Sequence, residues 1–151
     1  MDIDTLLKNT SRSLYLSVQA LPAALRPAFG IAYLLCRYAD TIADTSLLPA
    51  ERRIHWINRF PFLIQEQNPD EEKQLVSEIC GKAENPHEAL LVKNLIPCLV
   101  VLNQISDVLK PFILEVVHAV CEGMKIDLTS FPLSGAENPV AFQTEQDLQH
   151  Y

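Results

Sequence analysis

Phe29-Gly-Ile-Ala-Tyr-Leu-Leu-Cys-Arg-Tyr-Ala-Asp-Thr-Ile-Ala-Asp44 is the run that decides the fold of this chain. Its apolar residues recur at the spacing of a helix buried on most sides. Tyr33, Arg37, Asp40 and Asp44 interrupt them at intervals of four, three and four. At about 100° per residue these four fall within an arc of roughly 60° on one α-helix. A largely buried helix does not gather two carboxylates and a guanidinium on one stripe without something for them to bind. Two aspartates at i and i+4 offer oxygen ligands to a hard cation such as Mg²⁺, and the arginine one turn earlier suits phosphate oxygens. Asp40 and Asp44 are therefore the candidate metal ligands. Arg37 is the candidate diphosphate clamp, and Tyr33 can turn either its hydroxyl or its ring toward a ligand. The bland alternatives are an i, i+3 ion pair between Arg37 and Asp40, an ordinary core tyrosine, and a solvated helix end at Asp44.

Working outward, Pro marks the joints of a helical chain. The first helix is expected to end at Leu21-Pro22, and the second to cover about Ala23 to Asp44. Leu48-Pro49-Ala-Glu51 starts a third, with Pro61 expected to break or kink it near Phe60. Asn68-Pro69-Asp-Glu71 and Asn85-Pro86-His-Glu88 share one signature: a capping Asn, Pro at the first helical position and Glu two residues further on. The helix from Pro86 is expected to reach about Ser106 with a bend at Pro97. Another spans about Lys110 to Asp127. Leu128 to Gln143 reads as a loop, and Thr144-Glu-Gln-Asp147 opens a last helix. With only 4 Gly against 10 Pro and few alternating stretches, the chain is expected to be all-α, a helical bundle over residues 1–151.

Composition narrows the function. The chain has 151 residues, 48% hydrophobic and 21% charged, which suits a globular fold with a real core. Twelve basic and 19 acidic residues give a net charge of −7, which disfavours nucleic acid as a partner. An anionic ligand stays admissible where a cation and local arginines reverse the field. Cys36, Cys80, Cys98 and Cys121 form no C-x-x-C pair and read as reduced, buried thiols of a cytoplasmic protein. The longest apolar run, Leu95 to Leu102, is too short to span a membrane. His55, His87, His118 and His150 are scattered. His118 and Glu122 stand at i, i+4 without a third ligand.

Ser11-Arg-Ser-Leu-Tyr15, Gln19-Ala-Leu-Pro22 and Tyr33-Leu-Leu-Cys-Arg-Tyr-Ala-Asp-Thr-Ile-Ala-Asp44 together resemble the N-terminal part of the squalene/phytoene synthase family, the head-to-head trans-isoprenyl diphosphate synthases. Cys121-Glu-Gly-Met-Lys-Ile-Asp-Leu128 is similar to the family's G-M-x-x-D-L segment, and Gln149-His-Tyr151 to the start of its tyrosine-bearing helix. The resemblance implies an isoprenoid-synthase bundle. It implies Mg²⁺-dependent condensation of two farnesyl diphosphates, or similar prenyl diphosphates, to presqualene diphosphate and squalene. NADPH would be used if squalene is the product, and the apolar product is compatible with peripheral membrane association. It further implies that Ser11, Arg12 and Ser13 contact diphosphate with Arg37, and that Tyr33, Arg37 and Tyr151 serve catalysis. The plainer alternative for the Ser-Arg-Ser cluster is a helix cap. The motifs look closer to the squalene branch than to phytoene or dehydrosqualene synthases. Family members are about twice as long and carry a second Asp-rich motif on a later helix, so the chain is expected to be an N-terminal portion, inactive alone. A catalytically inactive relative acting in binding or assembly stays open. Where many relatives have an acidic residue before the last Asp, this chain has Ala43.

Overall fold

The computed structural model describes residues 3–45, 48–80, 86–130 and 145–150, all helix and short connection, with no strand among them. The elements are α1 (Ile3–Thr10), α2 (Arg12–Gln19), α3 (Arg26–Asp44), α4 (Ala50–Glu66), α5 (Pro69–Cys80), α6 (Pro86–Lys93), α7 (Leu95–Gln104), α8 (Lys110–Ser130) and α9 (Glu145–His150). The all-α expectation holds.

The helix carrying the polar stripe is the centre of the bundle. α3 packs most extensively on α8, and also against α4, α7, α1, α2 and α6. Ile31, Leu34, Leu35, Ala39 and Ile42 of α3 are fully enclosed, meeting Trp56, Ile57, Phe60 and Leu63 of α4 and Val117 of α8. Each such Leu or Ile side chain contributes about 1.5–3 kcal/mol by leaving water. Tyr38 stacks at a tilt on Phe60, ring centroids 6.3 Å apart.

Several boundaries depart from the sequence reading for visible reasons. The segment before Leu21 is two helices, because Ser11 leaves helical geometry (φ −131°, ψ 41°). Its hydroxyl donates to the Leu7 carbonyl at 2.5 Å, and Thr10 does the same to Leu6 at 2.8 Å. Such back-bonding competes with the helical ladder. α3 starts at Arg26, not Ala23, since Pro22 to Leu25 close a turn through Leu25 N–H and Pro22 C=O at 2.9 Å. Pro61 does not break α4, which runs on to Glu66. The ring is buried, and Ile57, Phe60, Leu63 and Ile64 are buried on both sides of it, so packing outweighs the missing N–H. The interruption expected at Pro97 falls at Asn94, whose side-chain amide donates to Leu90 C=O at 2.7 Å. Pro97 then occupies the first turn of α7, where an N–H is not required. Asn68 caps α5 as expected, accepting from the Asp70 N–H at 3.2 Å. Glu71 pairs with Arg59 at 2.8 Å instead of reaching back to the cap. α8 extends to Ser130, three residues past the expected end. Asn85 and most of the expected loop lie outside the described residues.

α4 and α5 are joined by charges met within the fold. Glu78 accepts from the Arg52 guanidinium at 2.5 and 3.0 Å, from the Trp56 indole N–H at 2.8 Å and from Gln74 at 3.0 Å. These donors, Arg52 foremost, hold its carboxyl down at about 2. Arg52 also lies over the Trp56 ring, 5.1 Å from its centroid. Next along the seam, Arg59 joins Glu66 and Glu71. No helix among the described residues is long and apolar enough to cross a membrane.

Candidate functional site

Tyr33, Arg37, Asp40 and Asp44 all lie on α3, as their spacing requires. Tyr33, Arg37 and Asp40 are part-buried and Asp44, the last residue of the helix, is exposed. Arg37 Nη1 donates to Asp40 Oδ2 at 2.6 Å, with 41% and 34% of the two side chains open to solvent. The ion-pair reading of these two residues is therefore realised, and it leaves both partners accessible. A surface pair of this kind contributes at most about 1 kcal/mol, so a ligand can compete for either group. Thr41 hydroxyl donates to Arg37 C=O at 2.9 Å, one turn further along the helix. Burial raises the Tyr33 hydroxyl pKa, with Arg37 opposing and Asp40 adding, so Tyr33 is a neutral donor at physiological pH.

Between Ala28 and Tyr33 the adjoining face of the same helix is apolar. A cavity of about 410 Å³ opens there between α2, α3 and α8. Leu14, Ala28, Phe29, Ala32, Phe112 and Val116 are among its walls, and Tyr33 and Cys36 stand where it meets the polar stripe. Arg37, Asp40 and Asp44 are not in its lining. Tyr33 thus faces the cavity and the three charged residues continue beyond it. Phe29, Phe112 and Val116 are each about half exposed, unusual for side chains of that size. Burial lifts the Cys36 thiol to about 11, with Asp40 contributing, so it is no nucleophile.

α8 is the helix against which α3 packs most extensively. The cavity joins residues 28–36 of α3 to 109–116 of α8, and deeper in the bundle burial pushes the Cys121 thiol up to about 12. Sequence spacing gave no sign that α8 walls this cavity.

The Ser-Arg-Ser cluster stands at the start of α2. Ser11 is 4% exposed and its hydroxyl proton is given to Leu7, so in this arrangement it serves the end of α1 rather than an N-cap or a ligand. Arg12 and Ser13 are the first two residues of α2. Tyr151 lies outside the described residues. Among the described residues no three His, Cys, Asp or Glu side chains gather to hold a metal, the His118–Glu122 pair included. Asp40 and Asp44 still fit Mg²⁺, which takes one or two carboxylates and completes its shell with water and phosphate oxygens. One residue that the sequence did not single out belongs to this end of α3. Arg53 of α4 donates from Nη1 to the Ala43 carbonyl at 2.8 Å.

No individually curated protein matches the chain significantly. The sequence profile described as squalene/phytoene synthase matches residues 7–151, which takes in both the α3 stripe and the α8 segment. The chain belongs to the squalene/phytoene synthase family.

Proposed function

We propose that this chain provides the diphosphate-binding face of a head-to-head prenyltransferase that condenses two farnesyl diphosphates toward presqualene diphosphate and squalene. One observation carries the reading. A single helix bears an apolar cavity wall that passes at Tyr33 directly into an Arg and Asp stripe, a surface shaped for an amphiphile with a hydrocarbon tail and an anionic head. Membership of the family supports a prenyl diphosphate as the class of substrate.

On this reading the tail lies against Phe29, Ala32, Phe112 and Val116. Arg37 turns one face of its guanidinium to the diphosphate while keeping Asp40 oriented. Asp40 and Asp44 would hold Mg²⁺, which when bound supplies positive charge to the departing diphosphate. Tyr33 keeps its proton and donates it in a hydrogen bond, and its ring stands where an allylic cation would form. The family resemblance assigns Arg12 and Ser13, at the start of α2, to the same diphosphate.

Asp40→Asn tests this, because Asn keeps the size and one oxygen while losing the charge that binds the ion. Saturable Mn²⁺ binding, followed by loss of the free-ion paramagnetic signal, should be abolished while the helical circular dichroism is unchanged. An unaltered Mn²⁺ isotherm would remove Asp40 from the site.

A further inference from the structure

We infer that Arg53 is a positioning residue for Asp44, acting through the backbone of the last turn of α3; this rests on the reading of Asp40 and Asp44 as metal ligands. The two carboxylates are set in different ways. Asp40 stands a full turn inside the helix and is held directly by Arg37. Asp44 is the final helical residue, exposed, at the end where carbonyls lose their intrahelical partners.

That end is secured from outside α3. Thr45 N–H donates to Thr41 C=O at 3.2 Å, and the Ala43 carbonyl is taken by Arg53 Nη1 at 2.8 Å. The Ala43 carbonyl and the Asp44 nitrogen belong to one planar peptide unit. Fixing that oxygen therefore fixes the plane from which the Asp44 side chain departs. The last turn of α3 has no basic residue of its own, so α4 delivers the cation that the negative end of the helix dipole favours. Arg53 itself is anchored in the first turn of α4, its N–H bonded to Pro49 C=O at 3.0 Å. Its Nε is buried without a hydrogen-bond partner. Removing the side chain thus forfeits one charged hydrogen bond and also relieves one unsatisfied donor, two effects of opposite sign on stability.

The sign of the effect on metal affinity separates positioning from plain electrostatics. A guanidinium that only adds positive charge near the site repels a divalent cation, and its loss would tighten binding. A guanidinium that holds the Asp44 peptide in register helps binding, and its loss would weaken it. Groups that orient metal ligands typically account for about 10–100-fold in affinity.

The experiment is a Mn²⁺ titration of the 151-residue chain by electron paramagnetic resonance, with thermal melting in parallel, on wild type, Asp44→Asn, Arg53→Met, Arg53→Gln and Arg53→Lys. We expect saturable wild-type binding that Asp44→Asn removes. Arg53→Met should bind about tenfold more weakly while its melting temperature moves little, and Arg53→Lys should recover most of the affinity. Arg53→Gln is read in place of Arg53→Met if the latter does not fold. Unchanged or tighter binding in the neutral variants overturns the inference and leaves the metal site standing. Absence of Mn²⁺ binding in the wild type, or wild-type binding by Asp44→Asn, removes the metal site and the inference with it.

Discussion

The seam between α4 and α5 and the C-terminal half of α3 both collect arginines and carboxylates, and they use them in opposite ways. At the seam every partner is supplied by the fold: Glu78 is gripped by Arg52, Trp56 and Gln74, and Arg59 is shared between Glu66 and Glu71. On α3 one pair, Arg37 and Asp40, is bonded yet a third or more open, and Asp44 stands exposed at the helix end. Charge satisfied from several sides is structural. Charge held by one partner and left open to water is charge a ligand can take. The difference lies in the number of partners that Glu78 and Arg59 collect, not in the residue types or in exposure, since Glu66 at the seam is more open than either Arg37 or Asp40.

The comparison is broken most severely at Trp56. It is 1% exposed and joins the core to the Glu78 cluster, so Trp56→Ala should cost about 3–5 kcal/mol in denaturant unfolding. A smaller loss, under about 1 kcal/mol, would mean that the seam is not the stabilising half of the contrast. Glu78→Gln should follow, with a loss smaller than that of Trp56→Ala and clear of zero. Its signature lies in pH. The folded carboxyl titrates near 2 against an ordinary 4.5, so the unfolded chain binds the extra proton between those values. The stabilisation by Glu78 is therefore complete above about pH 4.5 and is lost as pH falls toward 2. Urea midpoints measured across that window should fall with acid in the wild type and fall less steeply in Glu78→Gln. Parallel slopes would show the cluster to be energetically idle. The smallest effect on stability is expected at Asp40→Asn, within about 0.5 kcal/mol of wild type, although it abolishes Mn²⁺ binding. A loss comparable to that at Glu78 would make Asp40 one more structural anion and erase the distinction.

Periodicity carries far in this chain because helices are local objects. The extent of α3 up to Asp44, the Asn68 cap and the start of α8 at Lys110 each follow from a few neighbouring residues. The departures have equally local causes that compete on nearly even terms. At Ser11 and Asn94 a side chain bonds back to a carbonyl four residues earlier and ends a helix, whereas the more conspicuous Pro61 is absorbed by packing. In the site, the stripe of α3 was legible because it repeats along one helix. The cavity was not, since its far wall comes from Phe112 and Val116, about 80 residues away, and no spacing rule joins them to Phe29. Arg53 was hidden for another reason. Its role is toward a backbone oxygen, and every residue has one.

α3 also has a length. From Phe29, on the cavity wall, to Asp40 is eleven residues, about 16 Å at 1.5 Å per residue. A molecule whose charged head is tied at Asp40 and whose tail follows the helix meets the apolar wall over a fixed distance. Helix α3 is then a graduated scale with one turn, about 5.4 Å, as its division. On the proposed reading, moving the aspartate pair by a turn would leave the head group's contacts intact and change only how much tail the wall can shelter.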